Sequence, residues 1–238
     1  MASSILQRLI EVEKERLNGQ PGSVQDLIYR WNIEDFIKYA NKPCGARTCV
    51  SVSDLVYCSM KYYYKRVYPE ITLAENLYAA WASYGRLVHR GLQDLLKEHG
   101  FKVEYEVEKL VELEVNGDKR IVGVHGRLDA LGSLNNKLTV VEIKSSRSDV
   151  DLPKPQHILQ LRIYMYMAHA AQGILVYITP DRIAEYAIYE PLSPENIKLL
   201  LRETLENTKR PRYDWECSYC PFSIMCPYKQ TNNRFHKR

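Results

Sequence analysis

The stretch "TVVEIKSS", residues 139–146, sets two charged side chains into a run that otherwise reads as a core strand. Glu142 and Lys144 are two apart, so they project from one face of that strand. Charges are seldom fully buried without a partner. An acid and a base placed this way must serve each other or a third group.

Reading outward, residues 133–136 form a turn that returns a strand over about 121–131 against this one. Pairing across that loop puts Asp129 opposite Val140, on the face of Glu142 and Lys144 and diagonal to Glu142. A slip of one residue would turn the face over. Before it, Val103, Tyr105, Val107, Val111, Leu113 and Val115 share one parity and five glutamates the other, and Asn116-Gly117 is a hairpin turn. The three segments predict an antiparallel meander. Upstream, residues 3–40 read as helices broken at Pro21-Gly22, with Ser3 or Ser4 and then Ser23 as N-caps. Ser53-Asp54 caps a further helix, DLVYCSMKYYYKR. A long helix over 75–99 carries the stripe Leu77, Trp81, Tyr84, Val88, Leu92 and Leu95, and Gly100 stops it. Downstream, Pro153 and Pro155 lead into a helix over 156–171 ended by Gly173. Strands follow at 174–179 and 183–189, then a helix from Ser193-Pro194 to about 208. The order α-β-β-β-α-β-β-α predicts an α/β domain over 51–208, between a helical N-terminal extension (1–50) and a cysteine-bearing C-terminal segment (209–238).

With 45% apolar residues in 238, a real core is expected and wholesale disorder is not. The net charge of +4 implies no partner by itself. A basic tail does more: Lys209, Arg210, Arg212, Lys229, Arg234, Lys237 and Arg238 face only Asp214 and Glu216. No signal-peptide pattern and no run of about 18 apolar residues occurs, so a cytoplasmic protein with no membrane span is expected. There, six cysteines serve as ligands or buried hydrophobes rather than disulfides.

Two neighbouring carboxylates repel unless a cation lies between them. Oxygen ligands favour Mg²⁺ or Mn²⁺. Lys144 would orient or activate water and offset charge developing at phosphorus. The plain alternative is a salt-bridged strand end. In GRLVH (85–89), Gly85 lets a backbone or phosphate approach above His89, and an inward imidazole suits Mn²⁺, although a lone inward histidine is more often a core residue than a ligand. In QLRIY (160–164), Gln160 and Tyr164 share a helical face and could bond a phosphate or stack on a base. Cys217-x2-Cys220-x5-Cys226 has metal-ligand spacing. Cys58 is the candidate fourth ligand, with Cys44 and Cys49 as competitors, and spacing does not separate Zn²⁺ from an iron-sulfur cluster. KYYYKR (61–66) interleaves aromatic and basic residues, suited to single-stranded nucleic acid or to packing.

Taken in order, Cys58, GRLVH, GRLD (126–129), EIK (142–144), QLRIY and the three-cysteine motif resemble the RecB-like nucleases of the PD-(D/E)XK superfamily that carry an iron-sulfur clamp. By size and layout the chain is most similar to the CRISPR-associated exonuclease family, the fourth of the Cas proteins. The resemblance implies a restriction-endonuclease-like mixed sheet flanked by helices. It implies Mg²⁺ or Mn²⁺ held by His89, Asp129, Glu142 and the main-chain carbonyl of Ile143, with Lys144 serving the attacking water. It further implies Gln160 and Tyr164 positioning DNA, and a structural 4Fe-4S cluster on Cys58, Cys217, Cys220 and Cys226. The implied activity is exonucleolytic cleavage of single-stranded DNA, 5′ to 3′, in CRISPR spacer acquisition. The implied partners are that DNA and the integrase proteins; a homo-oligomer is a separate expectation that the resemblance does not carry. Two rivals are a DNA-end-recognising module with little hydrolysis of its own and a zinc-bearing adaptor.

Overall fold

The computed structural model describes residues 4–40, 44–78 and 80–230. Ser3, the side chain of Leu77, and Arg234, Lys237 and Arg238 of the basic tail lie outside the described residues. Two helices, α1 (Ser4–Leu17) and α2 (Val24–Ala40), open the chain. The break between them falls around Pro21-Gly22, and Ser23 Oγ caps α2 by accepting from Asp26 N at 3.1 Å. Next come β1 (Thr48–Ser51), α3 (Val52–Val56), α4 (Ser59–Val67), α5 (Pro69–Tyr78) and α6 (Ala80–Glu98). The meander β2 (Lys102–Val115), β3 (Asp118–Leu134) and β4 (Lys137–Ser145) follows. Then α7 (Pro155–Ala168), β5 (Gln172–Ile178), β6 (Ile183–Ile188) and α8 (Pro194–Leu205) complete the domain. Among the described residues no helix is long and apolar enough to cross a membrane.

The sheet is mixed and six-stranded, ordered β1-β3-β4-β5-β6 with β2 also on β3. One edge of β3 is covered by β2 from Val115↔Asp118 to Lys102↔Leu131. The other edge is shared. β1 runs parallel to it over Thr48↔Val122 to Ser51↔His125, and β4 antiparallel over Leu134↔Lys137 to Ala130↔Val141. Between them, residues 126–129 face a fork in the sheet. β1 was not foreseen; it straddles residue 50 and brings the end of the N-terminal extension into the sheet.

Each face carries its own core. Helices α3, α7 and α8 cover one with Leu55, Leu161, Met165, Ile197 and Leu201 against Leu128, Val140, Leu175 and Tyr177. On the other, Leu92 and Leu96 of α6 pack on Phe101, Ala130, Val141, Ile143, Ile174 and Val176. This corrects the expected stripe: Trp81, Tyr84 and Leu95 are exposed. The expected parity in β2 also breaks. Val103 packs on the α6 side, whereas Val107 and Val111 pack on the α7 side. Glu104 lies between them with φ of 51°, a left-handed conformation that swivels the strand.

Other local expectations shift. Ser51, not Ser53, caps the helix after β1 by accepting from Asp54 N at 3.1 Å, and that helix divides at Cys58 into α3 and α4. Helix α7 ends on left-handed His169, while Gly173 lies in β5 directly beneath it. A Cβ on Gly173 would stand 2.7 Å from Met165 Sδ and 2.8 Å from Leu161 Cγ, so close helix–strand contact explains the glycine. In KYYYKR, Tyr62 and Tyr64 are buried, Tyr64 stacks on Phe222, and Lys65 pairs with Asp54 at 2.8 Å. Packing explains that segment, with only Tyr63 of its three tyrosines exposed. Cys44 and Cys49 form a disulfide, contrary to the expectation of reduced thiols, and so leave the competition for the fourth ligand position.

The C-terminal segment is sewn onto α4 by one buried carboxylate. Glu216 accepts from Cys58 N at 2.8 Å, Arg212 N at 2.8 Å and Tyr213 N at 2.9 Å. Beside it, Ser59 donates through both N and Oγ to Lys209 O, each at 2.8 Å. Hydrogen bonds to a charged group contribute about 1.5–3 kcal/mol, and orphaned buried donors cost a similar amount. Glu216→Ala is expected to lower stability by about 3 kcal/mol, read by thermal or urea unfolding; a change below about 0.5 kcal/mol would refute this tie.

Candidate active site

The fork in the sheet gathers polar side chains from four elements. The two-residue loop Asn135-Asn136, both residues left-handed at φ of 50° and 60°, sets the β3–β4 register. The loop is two residues shorter than expected. Continuing that register brings Asp129 abreast of Glu142 rather than diagonal to it. A shift of two preserves the face, so the two carboxylates meet as anticipated.

Asp129 sits where the ladder splits and fills the gap with its side chain. Its Oδ2 accepts from Ile143 N at 2.7 Å, and its Oδ1 lies 3.2 Å from His89 Nδ1. His89 comes from α6, in line with Leu92 and Leu96 as expected. Gly85, one turn earlier, faces the end of β4: a Cβ there would lie 3.2 Å from Ser145 Oγ. Lys144 donates to Glu142 Oε1 at 2.7 Å and to Gln160 Oε1 at 2.9 Å. Gln160 and Tyr164 come from α7, on the opposite face of the sheet. Tyr164 lies over Gly126 in the fork, where a Cβ would stand 2.5 Å from Tyr164 Cε1. Thus Asp129, Glu142, Lys144, His89, Gln160 and Tyr164 all line one cavity of about 750 Å³.

The charges are strained in a revealing way. Burial would raise the Asp129 carboxyl, but the His89 hydrogen bond and charge, Lys144 and the Ile143 N–H outweigh it and hold Asp129 below the usual range. Burial raises Glu142 to about 7 despite Lys144, and the Asp129 charge adds to the rise. Its Oε2 is buried with no hydrogen-bond partner. An orphaned carboxylate oxygen beside a second carboxylate is a donor set for a hard divalent cation. For Lys144, burial pulls the ammonium down, but Glu142 and Asp129 pull harder and hold it above its ordinary value. It therefore stays a cation and a hydrogen-bond donor. Among the described residues, no three His, Cys, Asp or Glu side chains are drawn together closely enough to hold an ion as they stand. The His89–Asp129 and Lys144–Glu142 pairs occupy these groups instead.

Around this set lie residues the sequence reading passed over. Gln93 Nε2 donates to Glu104 Oε1 at 2.7 Å and reaches Asp129 O at 3.4 Å. Glu104 also pairs with Arg127. The available signal was Gln93, a polar residue one turn after His89 on the inward face of α6. Asp35 and Phe36 of α2 also line the cavity, so α2 walls the site.

The four free cysteines line a second cavity of about 760 Å³. Cys58 caps α4, Cys217 is in a short 3-10 turn (Glu216–Ser218), and Cys220 and Cys226 pack with Met60, Tyr64 and Phe222. Burial pushes the Cys58 thiol up to about 11 and raises Cys220. Four soft donors from two distant chain segments are the donor types of a tetrathiolate centre, and as they stand no three of them are close enough to share an ion.

Residues 96–227 match the PD-(D/E)XK nuclease superfamily. The chain belongs to that superfamily. It is 40% identical over 209 residues to the CRISPR-associated exonuclease Cas4 of Saccharolobus solfataricus, covering 87% of this chain and all of that one, and shares its family. The crystal structure of SSO0001 is similar with a TM-score of 0.78 and 38% identity, over 89% of this chain and all of that one. The fold is the restriction-endonuclease-like mixed sheet flanked by helices, and the chain is a nuclease.

Proposed function

We propose that this nuclease is a divalent-metal-dependent exonuclease that trims single-stranded DNA from its 5′ end during CRISPR spacer acquisition, beside the integrase proteins. The observation that carries the reading is the orphaned Oε2 of buried Glu142 abreast of Asp129, with Lys144 alongside. Asp129, Glu142, His89 and the Ile143 carbonyl would hold Mn²⁺ or Mg²⁺. Such an ion supplies Lewis-acid polarisation of the phosphodiester and activation of water. Lys144, kept protonated by its carboxylates, then donates to the attacking water or to the non-bridging oxygens as charge grows there. Gln160 holds the ammonium in place from α7, and Tyr164, buried beside it over Gly126, positions the fork against which the strand would lie.

In this reading residues 51–208 are the nuclease core. Cys58, Cys217, Cys220 and Cys226 hold a 4Fe-4S cluster that clamps the C-terminal segment to α4, and the protein is cytoplasmic. The intact set of Asp129, Glu142 and Lys144 favours hydrolysis over end recognition alone, and self-association is a separate expectation.

The test is cleavage of end-labelled single-stranded DNA with Mn²⁺. Wild type is expected to shorten the strand from the 5′ end, and Lys144→Ala to cut about 10²-fold more slowly. Binding without cutting by wild type would move the end-recognition reading ahead, and shortening from the 3′ end would reverse the polarity.

A further inference from the structure

Two arginines inside the sequence motifs have no role in the chemistry described so far. Arg86 precedes His89 by three residues on α6, and Arg127 precedes Asp129 by two on β3. Those spacings put each arginine on the same face as its metal-ligand candidate, about 4.5 Å along the helix and about 6.7 Å along the strand. Both arginines line the cavity of the carboxylates. Among its described lining residues they are the only Arg side chains, and Lys144, the only Lys, is committed to Glu142 and Gln160.

The arginines converge on one carboxylate. Asp35 of α2 lies 3.5 Å from Arg127 Nη1 through Oδ1 and 4.0 Å from Arg86 Nε through Oδ2. Arg86 is further held by Asn32 Oδ1, whose amide donates to Ser83 Oγ at 3.0 Å, and Arg127 by Glu104. Two guanidinium groups brought together this way need an anion between them, and a bidentate fork suits phosphate as well as carboxylate. Asp35 is about one-third exposed, at 30%, so displacing it does not require opening the core.

We propose that Arg86 and Arg127 form the seat for the phosphate next to the scissile one, and that Asp35 of α2 occupies this seat until DNA displaces it. The offset along α6 and β3 is of the order of one nucleotide step in an extended strand. Asp35 acts as an internal competitor that also ties the N-terminal helices to the site. The arginines are positioning residues: they fix the register of the strand on the carboxylates. The proposal rests on the nuclease acting on single-stranded DNA.

The test is the affinity of the full chain for a fluorescent single-stranded oligonucleotide in EDTA, titrated across salt. Asp35→Asn is expected to tighten Kd three- to tenfold, because the competitor loses its charge while the shape stays. Arg86→Gln and Arg127→Gln are each expected to weaken Kd about tenfold and to reduce the slope of log Kd against log salt by about one. Arg→Lys at either position should recover part of the affinity and the full slope. Asp35→Asn in the Arg127→Gln background should gain less than in wild type. A purely structural ion pair predicts the reverse: Asp35→Asn lowers the melting temperature and leaves Kd unchanged or weaker, and that result overturns the seat. If all Kd values shift as expected while wild type fails to cut with Mn²⁺, the seat stands and the exonuclease reading falls.

Discussion

Asp129→Ala is expected to lower Mn²⁺-dependent cleavage of single-stranded DNA at least about 10³-fold, equivalent to about 4 kcal/mol of transition-state stabilisation. Three effects combine. The variant removes a carboxylate that would share the ion with Glu142, and it releases His89 from its 3.2 Å contact. It also orphans Ile143 N, whose 2.7 Å bond to Asp129 holds β4 at the fork. DNA affinity in EDTA should stay within about twofold, because no ion is present to bridge Asp129 to a phosphate. Stability should change little: the lost hydrogen bond is offset by relief of repulsion between two buried carboxylates. Equal cleavage by variant and wild type would remove Asp129 from the chemistry. A parallel collapse of melting temperature would show that its work is structural.

Cys220→Ala is expected to abolish visible absorption of anaerobically purified protein and to lower the melting temperature by about 10–20 °C. The reason is topological. Cys58 lies at the head of α4, and its partners lie beyond α8, so a shared centre closes a loop that contains β2 to β6, every strand of the sheet but β1. Constraining a loop of that size is worth about 5 kcal/mol in the chain-entropy picture, and each kcal/mol moves the melting point of a domain this size by about 2–4 °C. The Glu216 tie would persist and keep the segment near α4, so partial folding should survive. An unchanged melting point together with unchanged iron content would refute the clamp; a colourless wild type carrying zinc would keep the clamp and replace its metal.

Much of this was written in local pattern. Alternation in residues 103–115, the Asn116-Gly117 turn and the polar pair in 139–146 announced a meander with a charged face. The face survived even though the turn at Asn135-Asn136 is shorter than expected, because shifting a register by two leaves parity intact. His89, Gln160 and Tyr164 stood out in single motifs that say little alone and took their roles from the resemblance, and the structure brings them into one cavity with Asp129, Glu142 and Lys144.

What failed to show in the sequence shares one physical cause: it depends on partners far apart in the chain. β1 is four residues long and gains its pairing from β3, more than seventy positions away. The swivel at Glu104 reads as ordinary alternation until Val103 is seen packing on the other face from Val107. Cys44 and Cys49 carry spacing compatible with ligands, and only the folded chain pairs them with each other. Asp35 and Glu216 look like surface acids in their own segments. One closes on two arginines in the cavity and the other on three backbone donors, because the tertiary structure brings those groups to them. The sequence by itself determined the elements, the charged strand and the donor types, since propensity and periodicity act over a few residues. Only the tertiary structure decided where the sheet forks, which carboxylate oxygen is left without a partner, and which distant helix closes over the site, since these depend on contacts that no local pattern records.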